Sequence, residues 1–126
     1  MSKVTKATVG TGTADQFFSR ARERARKLDR REPVAPEITI TFEDVGDMLR
    51  VLSAERVRLL RTVTARPSPV SRLAYGLKRD LRAVSRDVSL LESFGLLSTR
   101  YEKNPGHGRQ KIVEPRAGRY QLVANL

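Results

Sequence analysis

The sequence contains no cysteine and no tryptophan, and its only histidine is His107. Without cysteine there is no disulfide scaffold, no thiolate zinc site, no iron–sulfur cluster and no cysteine nucleophile. One histidine excludes a multi-histidine metal centre. No set of nucleophile, base and orienting group is visible, so an enzyme is not expected, nor is a cofactor. No apolar run approaches the roughly 20 residues that a membrane span needs. The N-terminal stretch MSKVTKATVGTGTADQ also lacks the apolar centre of a secretory signal. The reading is therefore a cytoplasmic protein with no membrane association.

What the chain has in excess is positive charge. Its 126 residues carry 25 Lys+Arg against 14 Asp+Glu, a formal net charge of +11. The excess is not spread evenly. Residues 1–35 have a net charge of +5, residues 36–65 of −1 and residues 66–126 of +7. Two basic segments flanking a near-neutral middle suggest a scaffold with a basic arm and a basic face. The natural partner of such a surface is nucleic acid. The length suits one domain of ordinary size with a tail.

Along the chain, residues 1–12 are small and polar and read as a disordered tail. Thr13-Ala-Asp-Gln16 has the form of a capping box. A helix is expected from there to about Arg31, with Phe17, Phe18, Ala21, Ala25 and Leu28 as a narrow apolar stripe. Most other positions of this helix are charged, so the stripe must dock on something. Glu32-Pro-Val-Ala-Pro36 is a linker. Glu37 to Phe42 alternates as a short strand does. Residues 43–51 suggest a short helix with Val45, Met48 and Leu49 inward.

Ser53 is placed to cap a helix running to about Ala65, with Leu52 and Val57 as a hydrophobic staple and Val57, Leu60 and Val63 inward. Pro67-Ser68-Pro69 ends it. Ser68 is the expected cap of the next helix and Pro69 its first residue. That helix, to Leu77, turns Val70, Leu73, Ala74 and Leu77 inward. Asp80 caps a third helix whose Leu81, Val84, Val88 and Leu91 share one face, and Gly95 closes it. The remainder reads as a β-ribbon, with strands at 97–103, 109–114 and 119–126 and turns at 104–108 and 116–118.

Three short helices with a tight second connection, followed by a hairpin, form the pattern of a winged helix-turn-helix. The expected class is α+β, mainly α, with residues 37–126 as the DNA-binding domain and residues 13–36 as an N-terminal helical extension. The third helix would enter the major groove, where the N-terminal part of such a helix reaches base edges. Its outward face would hold Arg79, Arg82, Ser85 and Arg86. Arg82 and Arg86 lie four apart and project together. An arginine fork on guanine O6 and N7 gives roughly 1–3 kcal/mol of discrimination. Ser71, Arg72 and Lys78 would hold phosphates beside the second helix. His107, Arg109 and Lys111 would form a wing against the DNA backbone or minor groove. Asp87 reads as structural, pairing Arg86 or a neighbouring arginine. Gly10-Thr-Gly12 does not read as a phosphate loop, because no strand–helix context and no Gly-Lys-Ser/Thr ending are apparent.

The stretch from Leu52 to Leu97 resembles MarR-like winged-helix regulators. Closest in pattern is a family of small prokaryotic DNA-binding regulators of antitoxin-like type. The residues that carry the resemblance are Leu52-Ser53, Arg56, Leu59-Leu60, Val70, Leu73-Ala74, Arg79-Asp80, Val84, Arg86-Asp87-Val88, Leu91-Glu92 and Gly95-Leu96. Gly108-Arg109 and Pro115 to Leu126 echo the family's basic turn and final strand. Where the family often carries glycine in the turn between the second and third helices, this chain has Lys78. The resemblance implies autoregulation and an adjacent toxin-like gene.

Two functions are thus expected. One is a sequence-specific transcriptional regulator, a repressor of its own gene, binding double-stranded DNA as a homodimer. Phe17, Phe18, Ala21 and Leu28 would form the dimer or partner face. The other is an interaction module that neutralises a small toxin protein through residues 1–50, with DNA binding secondary.

Overall fold

The structure, a computed structural model, describes residues 4–12, 14–33, 36–124 and 126, and all of their side chains except those of Ala14 and Phe17. The expected capping role of Thr13 and part of the linker, Val34-Ala35, lie outside the described residues. In chain order the elements are β1 (Lys6–Thr11), α1 (Ala14–Asp29), β2 (Glu37–Phe42), α2 (Val45–Val51), α3 (Ala54–Ala65), β3 (Ser68–Pro69), α4 (Val70–Leu77), α5 (Leu81–Ser93), β4 (Leu97–Lys103), β5 (Arg109–Pro115) and β6 (Arg119–Val123). The chain divides into two compact units, Met1–Leu49 with Ala117–Leu126, and Arg50–Arg116. Each has its own three-stranded sheet. No helix among the described residues is long and apolar enough to cross a membrane.

The unit Arg50–Arg116 is a winged helix-turn-helix. Ser53 caps α3, its side chain accepting from the Arg56 N–H at 3.4 Å. Leu59, Leu60 and Val63 are buried, while Val57 is only half-buried. The helix packs on both α4 and β5, so it needs a wider apolar face than the single stripe read from spacing. Ser68 does not cap α4. Its hydroxyl donates to the Arg66 carbonyl at 3.1 Å, and Ser68-Pro69 pair with Val113 and Ile112 as a two-residue strand. Pro69 therefore stands at the cap position without a side-chain bond. A proline tolerates this edge position, having no N–H to leave unpaired.

In α4, Val70, Leu73, Ala74 and Leu77 are all buried. The turn that follows is made by Lys78 in the left-handed region, at φ 55° and ψ 45°. The Arg79 N–H returns to the Ala74 carbonyl at 3.0 Å. A β-carbon in this conformation costs roughly 1–2 kcal/mol, which is why glycine is usual there. Asp80 then caps α5 by accepting from the N–H groups of Arg82 (3.1 Å) and Ala83 (3.3 Å). At the far end Gly95, at φ 79°, bonds back to Glu92 and Leu96 to Leu91, both at 2.9 Å. This paired closure satisfies the last carbonyls and directs the buried Leu96 into the core. β4 and β5 form the hairpin in register from Leu97↔Pro115 to Lys103↔Arg109, and β3 completes the order β3-β5-β4.

The other unit departs from the sequence reading. Residues 6–11 are not part of a disordered tail: they form β1, the central strand of a sheet ordered β2-β1-β6. Ala7 and Val9 are fully buried, alternating with half-exposed neighbours, so the strand has the expected period of two. Both its neighbours run parallel to it. Adjacent parallel strands need a crossover, and α1 supplies it between β1 and β2. The N-terminal region is therefore a β–α–β unit and not a helical extension.

Nor does β6 extend the hairpin ribbon. It returns to β1, in register from Lys6↔Arg119 to Gly10↔Val123. A Cβ built on Gly10 would lie 2.5 Å from the Val123 carbonyl oxygen, so only glycine fits this pairing. The winged domain is thereby trimmed from the expected 37–126 to Arg50–Arg116. Gly10 and Thr11 end β1 and Gly12 follows it ahead of α1, which corrects one reason for setting the stretch aside; the Gly-Lys-Ser/Thr ending is still missing. In α2 Met48 is buried, but Leu49 is 61% exposed and not inward.

Candidate nucleic-acid interface

Helix α5 decides what the winged unit can touch. Val84, Val88 and Leu91 are fully buried on one side. On the other, Arg82 and Arg86 are exposed and Ser85 is half-buried. With Asp80 and Leu81 they line a shallow groove of about 550 Å³ along the start of the helix. Leu81 was expected inward but is 50% exposed. The apolar stripe runs one turn past the neighbours that cover it. Ser71, Arg72 and Lys78 are exposed on α4 and the turn after it.

Arg79 does not belong to this face. Its guanidinium turns inward, with Nη1 2.8 Å from Asp87 Oδ2 and Nε 3.4 Å from Glu55 Oε2. Asp87 is itself buried, at 8% exposure, and its other oxygen accepts from Arg56 Nε at 3.0 Å. Arg56 Nη1 also donates to the carbonyls of Arg50 (2.8 Å) and Val51 (3.2 Å). Asp87 is structural, as expected, but its partners are Arg56 and Arg79 and not Arg86. The network joins the end of α2, the start of α3, the α4–α5 turn and the middle of α5. Among the described residues no buried side-chain polar atom lacks a partner, so the charges are fully compensated. The sequence signal was Arg56 on the half-turn after the Ser53 cap, a place that composition alone does not mark.

The wing holds His107 and Arg109 exposed and Lys111 half-buried. Gly106 and Gly108 adopt φ of 81° and 77° to close the tip, with Asn104 N–H donating to the Gly108 carbonyl at 2.7 Å. Below the tip, Arg100 bridges Glu114 (2.5 Å) and Glu102 (2.6 Å). The hydrogen bond to Glu114, then that to Glu102, raises the Arg100 pKa above its ordinary value, so this guanidinium stays charged at every working pH. Thr99 Oγ1 donates to Glu92 Oε2 at 2.6 Å, tying the base of the wing to α5. No group of three or more His, Asp or Glu that could hold a metal occurs among the described residues.

A second face lies on α1. Phe18 is 55% and Leu28 64% exposed, and Ala21 and Ala25 are exposed with them. The side chain of Phe17 lies outside the described residues. Arg24 reaches Glu37 of β2 at 3.5 Å.

A family model matches residues 51–115, the span of α3–α5 and the hairpin. The chain belongs to the HVO_A0114 family. The HVO_A0114 segment begins and ends within one residue of the compact unit Arg50–Arg116, so family and fold divide the chain in the same place. No curated protein matches the chain. Two solved structures are similar to this HVO_A0114 member, each at 19% identity and a TM-score of 0.48. One is described as a possible transcriptional regulator from Methanosarcina mazei; the match covers 59% of this chain and 66% of that one, just under two thirds of its length. The other is the homodimeric winged helix-turn-helix DNA-binding domain of a possible ArsR-family transcriptional regulator from Mycobacterium bovis, with 75% of this chain and 71% of that one covered.

Proposed function

We propose that the protein is a sequence-specific DNA-binding transcriptional regulator that acts as a homodimer and represses transcription by occupying its site. The observation that carries this reading is the exposed Arg82–Ser85–Arg86 face of α5, set opposite a fully buried apolar side. A helix held this way presents its first two turns to the major groove. Arg82 and Arg86 read base edges. Ser71, Arg72 and Lys78 neutralise phosphates beside them, and His107, Arg109 and Lys111 do so from the wing. In a homodimer two such helices meet half-sites about 34 Å apart or a multiple of that.

Selection of binding sites from a random duplex library tests the reading. The Arg82→Ala protein should select a site with one position relaxed, corresponding to about 1–3 kcal/mol of lost discrimination. The Lys111→Ala protein should weaken on all sequences alike, with a salt slope reduced by about 1. Unaltered preference in Arg82→Ala would remove α5 from the reading surface.

The dimer face in this reading is the stripe Phe18, Ala21, Ala25 and Leu28. Its spacing of three, four and three is that of a two-helix seam. A toxin-like partner, the antitoxin reading, would occupy the same stripe. The mass of the protein in solution, alone and after co-expression with the product of the adjacent gene, distinguishes the two.

A further inference from the structure

Leu81 is the first residue of α5, and its backbone is fixed by the Asp80 cap immediately before it. Its spacing from Val84, Val88 and Leu91 puts it on the apolar stripe, yet those three are fully buried and Leu81 is half exposed. It lines the shallow groove at the helix start with Arg82, Ser85 and Arg86. An isobutyl group is thus held beside two guanidinium groups and a hydroxyl. Phosphate binding draws nothing from an aliphatic side chain. A major groove does, because the thymine C5-methyl is its distinct apolar feature, lying among the acceptors and donors that arginine and serine read.

We propose that Leu81 is a specificity-determining residue that packs on the 5-methyl group of a thymine next to the bases read by Arg82 and Arg86. This rests on the DNA-binding reading above and adds to it a chemical requirement: each half-site contains a thymine whose methyl group is recognised. Leu81 acts through desolvation of one methyl group, so its effect separates from that of the hydrogen-bonding residues.

The test uses the full-length protein and the duplex it selects. Each thymine of the half-site is replaced in turn by uracil, which keeps every hydrogen-bonding group and lacks only the methyl. Wild-type protein should bind about fourfold more weakly at one such position, the effect expected for one buried methyl group. The Leu81→Ala protein should bind thymine and uracil duplexes equally while keeping its preference at the positions read by Arg82 and Arg86. Leu81→Met, which retains an apolar side chain, should keep part of the discrimination. Wild-type protein that binds its site with no thymine–uracil difference at any position overturns the proposal, as does Leu81→Ala protein that discriminates as wild type does. Wild-type protein that selects no site at all overturns the DNA-binding reading itself, and this proposal with it.

Discussion

Among the described residues, Leu59, Leu91, Leu96, Leu97 and four valines of the winged unit are sealed from solvent, whereas in the unit built on β1 only Val9 is, among side chains of that size. The winged unit adds a buried ionic network around Asp87 and side-chain caps at the starts of α3 and α5. Phe18, Leu28, Leu49 and Leu122 are exposed in the β1 unit, and Tyr75, Leu81, Phe94 and Tyr101 in the winged unit. The units thus differ in how much they seal inside, not in whether they leave apolar side chains outside. In the proposed function, DNA contact and self-association fall to different parts of the chain, so changes in one should be felt little in the other.

The largest effect that would break this contrast is at Asp87. Asp87→Ala removes the carboxylate shared by Arg56 and Arg79, leaving Arg79 with Glu55, and should cost about 4 kcal/mol in denaturant unfolding. A loss below about 1 kcal/mol would mean that the network is ornamental. Next come two leucines. Leu91→Ala should cost about 3 kcal/mol, while Leu122→Ala, at a site already 45% exposed, should cost less than about 1 kcal/mol. Equal costs would erase the distinction between the units. Leu28→Asp sharpens it from the other side. It should weaken self-association more than about tenfold in sedimentation velocity, since a charge would enter an apolar seam, without moving the unfolding midpoint of the winged unit.

The smallest effect is at Lys78. Lys78→Gly relieves the left-handed backbone and should stabilise by about 0.5–1 kcal/mol in thermal unfolding. The same change removes the phosphate contact proposed for Lys78, so the more stable protein should bind DNA less tightly.

The winged unit was legible because its signals are local. Ser53, Asp80 and Gly95 sit where caps and a closing turn demand them, and Val70, Leu73, Ala74 and Leu77 keep helical spacing. What failed depended on partners far along the chain. β1 is made of small residues, and nothing near it announces that Glu37–Phe42 on one side and Arg119–Val123 on the other will flank it. β6 carries the alternation of a strand but no mark of which sheet it joins. Ser68 reads as a cap until β5 is seen to pair with it. At the candidate site, Arg79 was misplaced because its orientation depends on Asp87 and Glu55, eight and twenty-four residues away. Leu81 was misplaced because periodicity tells which side a residue is on but not where the covering neighbours stop.

The pairing of β6 with β1 makes the winged unit an insertion, held at both its ends by a single sheet. During synthesis Arg50–Arg116 is finished before the strand that completes that sheet has emerged, and its folding shortens the loop the sheet must close. A nascent chain therefore completes the helices and hairpin of Arg50–Arg116 before the sheet of the other unit is whole.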